Sequence, residues 1–168
     1  TPVCTGEDIY LLEGFKPLID NEAVSIIHPD LATSGGILET KKIGDYAQEK
    51  GIPMALHQAG SPIVAMANVH CAAATEGFIA LEMHSVDNPW WDDLVNFETE
   101  KIINNGFVKV PESPGLGITL NEDAVEKHLN VKPGGWGGQG ESMDIYPKGA
   151  FEPTEEWDRL DSHDRTWS

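Results

Sequence analysis

Apolar residues in this chain come in short runs, and each run ends on polar side chains that can titrate. Residues 24–27 lead into His28-Pro29-Asp30, and residues 52–56 lead into His57. Residues 2–5 reach Glu7 through Gly6, and residues 78–81 end at Glu82. Runs of this length read as buried strands. Helix-length stretches lie between them. Ile9, Leu12, Phe15 and Ile19 recur at spacings of three and four, but Gly14 and Pro17 interrupt the pattern, so two short helical pieces are expected over 9–19. Thr33-Ser34-Gly35-Gly36 is a turn, with Ser34 a candidate cap for a helix over 36–50. That helix would bury Ile37, Gly44 and Ala47, with Ile43 and Tyr46 flanking them, and Gly51 would end it. Ser61-Pro62 opens an alanine-rich helix that runs to about Ala74.

The predicted order is strand–helix four times over, with Glu7, Asp30, His57 and Glu82 at the strand ends, 23, 27 and 25 residues apart. That spacing suits the βα units of a parallel barrel or an open α/β sheet. The near-continuous apolar runs fit strands covered on both faces. In such folds chemistry collects at the carboxyl ends of the strands. After Glu82 the pattern changes. Residues 87–93, with Pro89, Trp90 and Trp91, read as a loop, 97–105 as a short helix, and 106–110 and 116–120 as short strands. Asn121-Glu122-Asp123 can cap a last helix to about residue 129. A glycine-rich stretch (134–140), an edge segment (143–146) and an acidic tail (150–168) follow. Phe151, Trp157, Leu160 and Trp167 would anchor that tail if it packs; otherwise it is solvated.

Charge narrows the function. Eleven Lys and Arg against 28 Asp and Glu give a formal charge of -17, which argues against a general nucleic-acid binder and an anionic membrane surface. An acidic protein can still bind a small anion through a divalent metal. Cys4 and Cys71 lack zinc-site or redox-pair spacing and are expected as reduced, buried thiols. No signal peptide and no apolar run of membrane-spanning length is visible, so a cytoplasmic protein is the default expectation.

Five residues carry most of the candidate chemistry. Glu7 could bind a hard cation or, with Asp8, act in helix capping. Asp30 and His57 end consecutive predicted strands, so carboxylate and imidazole could meet at one rim and form an oriented general base; a surface Asp and a hydrogen-bonded His are the alternative. Glu82 could hydrogen-bond a substrate oxygen. His84, two residues on, is a candidate acid. His28 is read as satisfying loop contacts. Trp90 and Trp91 could wall a pocket or pack in the core. No dinucleotide fingerprint, phosphate loop or nucleophile elbow is present.

Taken together, Thr5-Gly6-Glu7-Asp8, His28-Pro29-Asp30 with Ser34-Gly35-Gly36, Gly51 through His57, and Leu81-Glu82 resemble the mandelate racemase subgroup of the enolase superfamily. Residues 110–118 are similar to the segment that follows the barrel there, and the resemblance covers about residues 2–129. It implies an α/β fold: the second half of a modified (β/α) TIM-type barrel, then a short α+β segment and an irregular acidic tail. Residues 1–95 would be barrel units five to eight, 96–130 a post-barrel segment of the capping region, and 131–168 the tail. It implies Mg²⁺ held by three strand-end carboxylates, of which Glu7 matches the third. Asp30 and His57 match the family's His–Asp base pair, and Glu82 matches the carboxyl group that hydrogen-bonds the substrate carboxylate, with a raised pKa.

The cap domain, the first barrel half, two metal ligands and the opposite-face lysine lie outside this match. The expected partner is therefore the N-terminal part of the same enzyme, in a homo-oligomer that acts on a small-molecule carboxylate. The expected reaction is dehydration of a sugar acid to a 2-keto-3-deoxy acid. Racemisation, cycloisomerisation of an anhydro sugar acid, and a non-catalytic interaction module derived from a barrel half are the alternatives.

Overall fold

A computed structural model describes residues 1–99 and 101–128. The glycine-rich stretch, the edge segment and the tail anchors named above lie outside the described residues. The chain divides into two compact units, Thr1–Ala124 and Val125–Ser168. The first unit is built on four parallel strands in the order β1 (Cys4–Thr5), β2 (Ile26–Ile27), β3 (Met54–Leu56), β4 (Phe78–Leu81). The α/β architecture is thus the expected one, with strands at the carboxyl-terminal ends of the apolar runs. Strands adjacent in sequence are adjacent in space and parallel. Right-handed crossovers in that order put every helix on one face, the winding of a barrel rather than a doubly wound sheet.

Three helical stretches return the chain. α1 (Leu11–Asp20) is one helix despite Pro17, where two pieces were expected. An interior proline costs about 3 kcal/mol. Burying Phe15 and Ile19, both almost fully inaccessible, recovers roughly 1.5–3 kcal/mol each. The start of α1 is capped from another element, since the Leu12 amide donates to Glu39 Oε1 at 3.0 Å.

After β2 comes a single turn, α2 (Leu31–Ser34), then α3 (Gly36–Glu49). Ser34 does not cap α3, whose N-terminal position is Gly35 with no side-chain bond; a side-chain cap sits instead on α2, where Asp30 Oδ1 accepts from the Ala32 amide at 2.7 Å. Ser34 is buried and bonds Thr40 Oγ1 instead. Gly35 at φ +121° separates the two helices. Gly44 and Ala47 are buried as expected, with Thr40 and Ile43 beside them, but Ile37, in the first turn of α3, is 46% exposed, a correction to the predicted face.

α4 (Pro62–Ala73) begins after Ser61 as expected. The fourth helix does not form. β4 is followed by two 3₁₀ turns, His84–Asp87 and Asp92–Leu94. The helix expected over 97–105 is replaced by a hairpin, β6 (Ile103–Asn104) with β7 (Phe107–Val108). Asn105 and Gly106 both have positive φ there, the signature of an Asn-Gly turn. β5 (Val95–Asn96) pairs antiparallel with β8 (Thr119–Leu120), and α5 (Glu122–His128) starts where predicted.

The main core joins α1, α3 and the strands through Phe15, Ile19, Ile27, Ile43, Met54 and Leu56. A second cluster under α4 gathers Met66, Val69, Trp91 and Ile102. Full burial holds for β3 only; β1 and β4 carry exposed residues because they are the sheet edges. Cys71 is buried as expected, but Cys4, on the β1 edge, is exposed. Among the described residues no helix is long and apolar enough to cross a membrane.

Gly44 marks a close approach in the core. A Cβ there would lie 2.8 Å from Thr75 Cγ2 and 3.0 Å from Met54 Sδ. Gly44→Val should therefore destabilise the fold by about 1–3 kcal/mol through overpacking. A lowered urea midpoint with an unchanged denaturant slope is the expected reading; an unchanged midpoint would mean that α3 can move off β3.

Candidate active site

The sheet delivers its polar residues to one rim, and their backbones are part of the ladder. His28 N donates to Thr5 O at 2.8 Å, His57 N to Pro29 O at 3.1 Å, Glu82 N to Leu56 O at 2.9 Å and His84 N to Gln58 O at 3.1 Å. Asp30 and His57 form an isolated parallel bridge beyond the end of β2–β3. His28, Asp30, His57 and Glu82 are therefore held by strand ends rather than by a free loop, while His84 opens the 3₁₀ turn after β4. Glu7 arrives through Gly6, whose φ is +142° and where a Cβ would stand 2.7 Å from Phe15 Cε1. Only glycine lets the β1 exit pass this close to α1.

All five residues singled out in the sequence meet here. His57 is the centre. Its Nδ1 lies 2.6 Å from Asp30 Oδ2. Its Nε2 lies 3.1 Å from Glu7 Oε2 and 3.8 Å from Glu82 Oε2. A carboxylate oxygen only accepts, so Nδ1 donates to Asp30, and Nε2 is the nitrogen turned toward the other carboxylates. Asp30 thus does two jobs with two oxygens, capping α2 with Oδ1 and orienting the imidazole with Oδ2. His84 Nε2 is 2.7 Å from Glu82 Oε1, and its side chain is 58% exposed.

His28 belongs to this cluster, which its reading as a loop-contact residue missed. Its Nε2 lies 2.8 Å from Glu82 Oε2, its ring sits edge-on to His57 at 5.6 Å, and its Nδ1 is buried without a partner. The available signal was position: His28 directly follows β2, as His57 follows β3. Trp91 is core, and its Nε1 donates to Gly60 O at 2.9 Å. Ser85 Oγ and Gln58 Nε2 donate to the same carbonyl, which pins the loop after His57.

The raised pKa expected of Glu82 beside a substrate carboxylate has a different starting point in the chain by itself. Burial pushes the Glu82 carboxyl up, but the hydrogen bond from His28 and the charges of His57, His28 and His84 outweigh it and hold the group below the usual carboxylate range. A depressed carboxyl contributes stability that is present above its unfolded pKa and lost as pH falls through the folded one. Carbon-13 NMR of the Glu82 carboxyl should show titration below the value of a free glutamate, moving upward in His28→Ala. A midpoint that does not move in the variant would remove His28 as the main partner.

Residues 1–124 match the family described as enolase C-terminal domain-like. The chain belongs to the enolase superfamily. Within this superfamily it is 47% identical over 129 residues to a D-xylonate dehydratase of Haloferax volcanii, covering 77% of this chain and 31% of the relative. The fold superposes on a mandelate racemase/muconate lactonizing enzyme-like protein of Rubrobacter xylanophilus with a TM-score of 0.74 at 38% identity, covering 76% of this chain and 32% of that one. It also matches the 3,6-anhydro-D-galactonate cycloisomerase of Zobellia galactanivorans with a TM-score of 0.67 at 34% identity, covering 76% and 36%. The chain spans about a third of the length of the curated relatives it matches. As expected from the motifs, then, this is the barrel half of a superfamily whose named relatives include sugar-acid dehydratases.

Proposed function

We propose that this chain carries the proton-transfer machinery of a Mg²⁺-dependent lyase that dehydrates an aldonate-like sugar acid to a 2-keto-3-deoxy acid. The observation that carries the reading is the His57–Asp30 pair at 2.6 Å with His57 Nε2 facing the rim. Its likeness to a D-xylonate dehydratase supports the substrate class.

In this reading His57 Nε2 takes the proton alpha to the substrate carboxylate, and Asp30 stabilises the imidazolium that forms. The beta hydroxyl leaves as water after taking a proton from His84, the most exposed imidazole of the cluster. The enol product tautomerises to the 2-keto acid. Glu82, held ionised in the chain alone, accepts a hydrogen bond from a substrate hydroxyl; meeting the substrate carboxylate would require it to take up a proton first.

The donor chemistry at β1 fits a hard cation. Glu7 offers an oxygen ligand with its side chain about half exposed, and exposed Asp8 stands beside it. Glu7 would be one of the ligands of Mg²⁺, and the metal would supply positive charge against the anion that develops on the substrate carboxylate. The other ligands would come from the cap domain and first barrel half that we infer as the chain's partner. The exposed edges at β1 and β4, with Val3 and Ile79 each more than half accessible, support such a neighbour.

A second reading, cycloisomerisation of an anhydro sugar acid, is favoured by the likeness to the Zobellia enzyme. Incubating the assembled enzyme with a sugar-acid panel in D₂O separates the two. A 2-keto-3-deoxy product is expected. A ring-opened isomer would support the second reading, and alpha exchange with epimer formation would support racemisation. Neither a product nor alpha exchange with any substrate would overturn both enzyme readings.

A further inference from the structure

Among the described residues, one group of three offers metal-ligand atoms all within 4.8 Å of one another: His57, Glu82 and His84. Two imidazoles and one carboxylate are not the donor set of Mg²⁺, which selects oxygens; they are the set of Zn²⁺, Co²⁺ and related ions. We propose that these residues form a binding site for a first-row transition ion, different in donor chemistry from the hard-cation position at Glu7 that it adjoins (Glu7 Oε2 lies 3.1 Å from His57 Nε2), and that an ion bound there shuts the site down.

The supporting contacts already exist. A metal-bound histidine works best when its other nitrogen donates to a carboxylate, which fixes the tautomer and raises the basicity of the ligating nitrogen. His57 has that arrangement, with Nδ1 2.6 Å from Asp30 Oδ2. A ligating carboxylate is likewise steadied by a hydrogen bond to its other oxygen, and Glu82 Oε2 has His28 Nε2 at 2.8 Å. That leaves Glu82 Oε1, already 2.7 Å from His84 Nε2, as the ligand oxygen. The ion would replace the proton shared by these two atoms. Donors around a tetrahedral ion stand about 3.3 Å apart for bonds of about 2.0–2.1 Å. His84 supplies the adjustment, being the exposed member on a short 3₁₀ turn. Three protein ligands leave a fourth position open to water or substrate.

The consequence rests on the reading of His57 as the base. An ion on Nε2 occupies the lone pair that would accept the substrate proton, so inhibition follows directly from occupancy.

The test begins with Co²⁺ titrated into the full chain, read by its visible d–d absorption. One equivalent is expected to give bands of four- or five-coordinate cobalt that Zn²⁺ displaces. His84→Ala and Glu82→Gln should each weaken binding at least tenfold with unchanged far-ultraviolet circular dichroism. His84→Cys should restore binding and add a thiolate-to-cobalt band. Binding unchanged in His84→Ala and Glu82→Gln, no thiolate band in His84→Cys, or no d–d bands in the wild type would overturn the site. In the assembled enzyme at saturating Mg²⁺, Zn²⁺ should slow alpha-proton exchange. Wild-type Co²⁺ binding with no such inhibition leaves the site standing and removes His57 as the base, so the two ideas fail separately.

Discussion

His57→Asn should remove alpha-proton exchange from the assembled enzyme, with a loss of about 10²–10⁴-fold, the range a positioned general base contributes. Asparagine is a demanding test because it keeps much of the local structure. Its backbone amide still donates to Pro29 O, so the bridge to Asp30 survives. Its side-chain amide can still donate to Asp30 Oδ2. What disappears is the basic nitrogen at the Nε2 position, 3.1 Å from Glu7 and 3.8 Å from Glu82. Mg²⁺ binding should be spared, since the imidazole is not an oxygen donor. Proton NMR of a sugar acid in D₂O reads the exchange directly, separately from water loss. An exchange rate equal to that of the wild type would remove His57 from the proton-transfer role. Residual dehydration without exchange would place a different base on the opposite side of the substrate.

How much of this was legible beforehand depends on what each element rests on. The strands showed because burial forces apolar runs, and their carboxyl ends showed because titratable residues interrupt those runs. That pattern put Glu7, Asp30, His57 and Glu82 at strand ends, where they could meet at one rim, and left surface and capping roles open; the sheet is what brings them together with His84. Elements that depend on a tertiary partner were misread. Pro17 breaks a helix in isolation, yet α1 survives because Phe15 and Ile19 are packed beneath it. Ile37 looked like a core position, but it stands in the first turn of α3 and is half exposed, while Gly44 and Ala47 further along the same face are buried. The hairpin at 103–108 carried its Asn-Gly signal in plain view; the strand after the turn fell within the predicted 106–110, and only the apolar residues before it were read at the wrong period. His28 was missed for a related reason: its partner Glu82 is 54 residues away, and only the sheet order puts β2 and β4 on either side of His57. The Glu82 pKa also could not be read from a strand-end position, because it is set by three imidazoles that converge on one carboxylate.

Asp30→Asn separates the structural job of that residue from its chemical one. Asp30 Oδ1 caps α2 through the Ala32 amide, while Oδ2 takes the His57 Nδ1 proton. An asparagine with its oxygen toward Ala32 keeps the cap, so stability should change by less than about 1 kcal/mol, the usual worth of such a cap. Its amide nitrogen then faces His57. A donor facing Nδ1 forces the imidazole into the other tautomer, with the proton on Nε2. The nitrogen that must accept the substrate proton is then already protonated. Loss of the anion also withdraws its stabilisation of the imidazolium. The expected fall in kcat is about 10²–10⁴-fold, as in other His–Asp pairs whose tautomer is reversed, with KM little changed. Nitrogen-15 chemical shifts of His57 should report the tautomer exchange directly. Asp30→Ala should lose the cap as well, adding about 0.5–2 kcal/mol of destabilisation to a comparable kinetic loss. The decisive comparison is between the two variants. If Asp30→Asn retains wild-type kcat while Asp30→Ala loses it together with stability, Asp30 is only a helix cap and the oriented dyad does not operate.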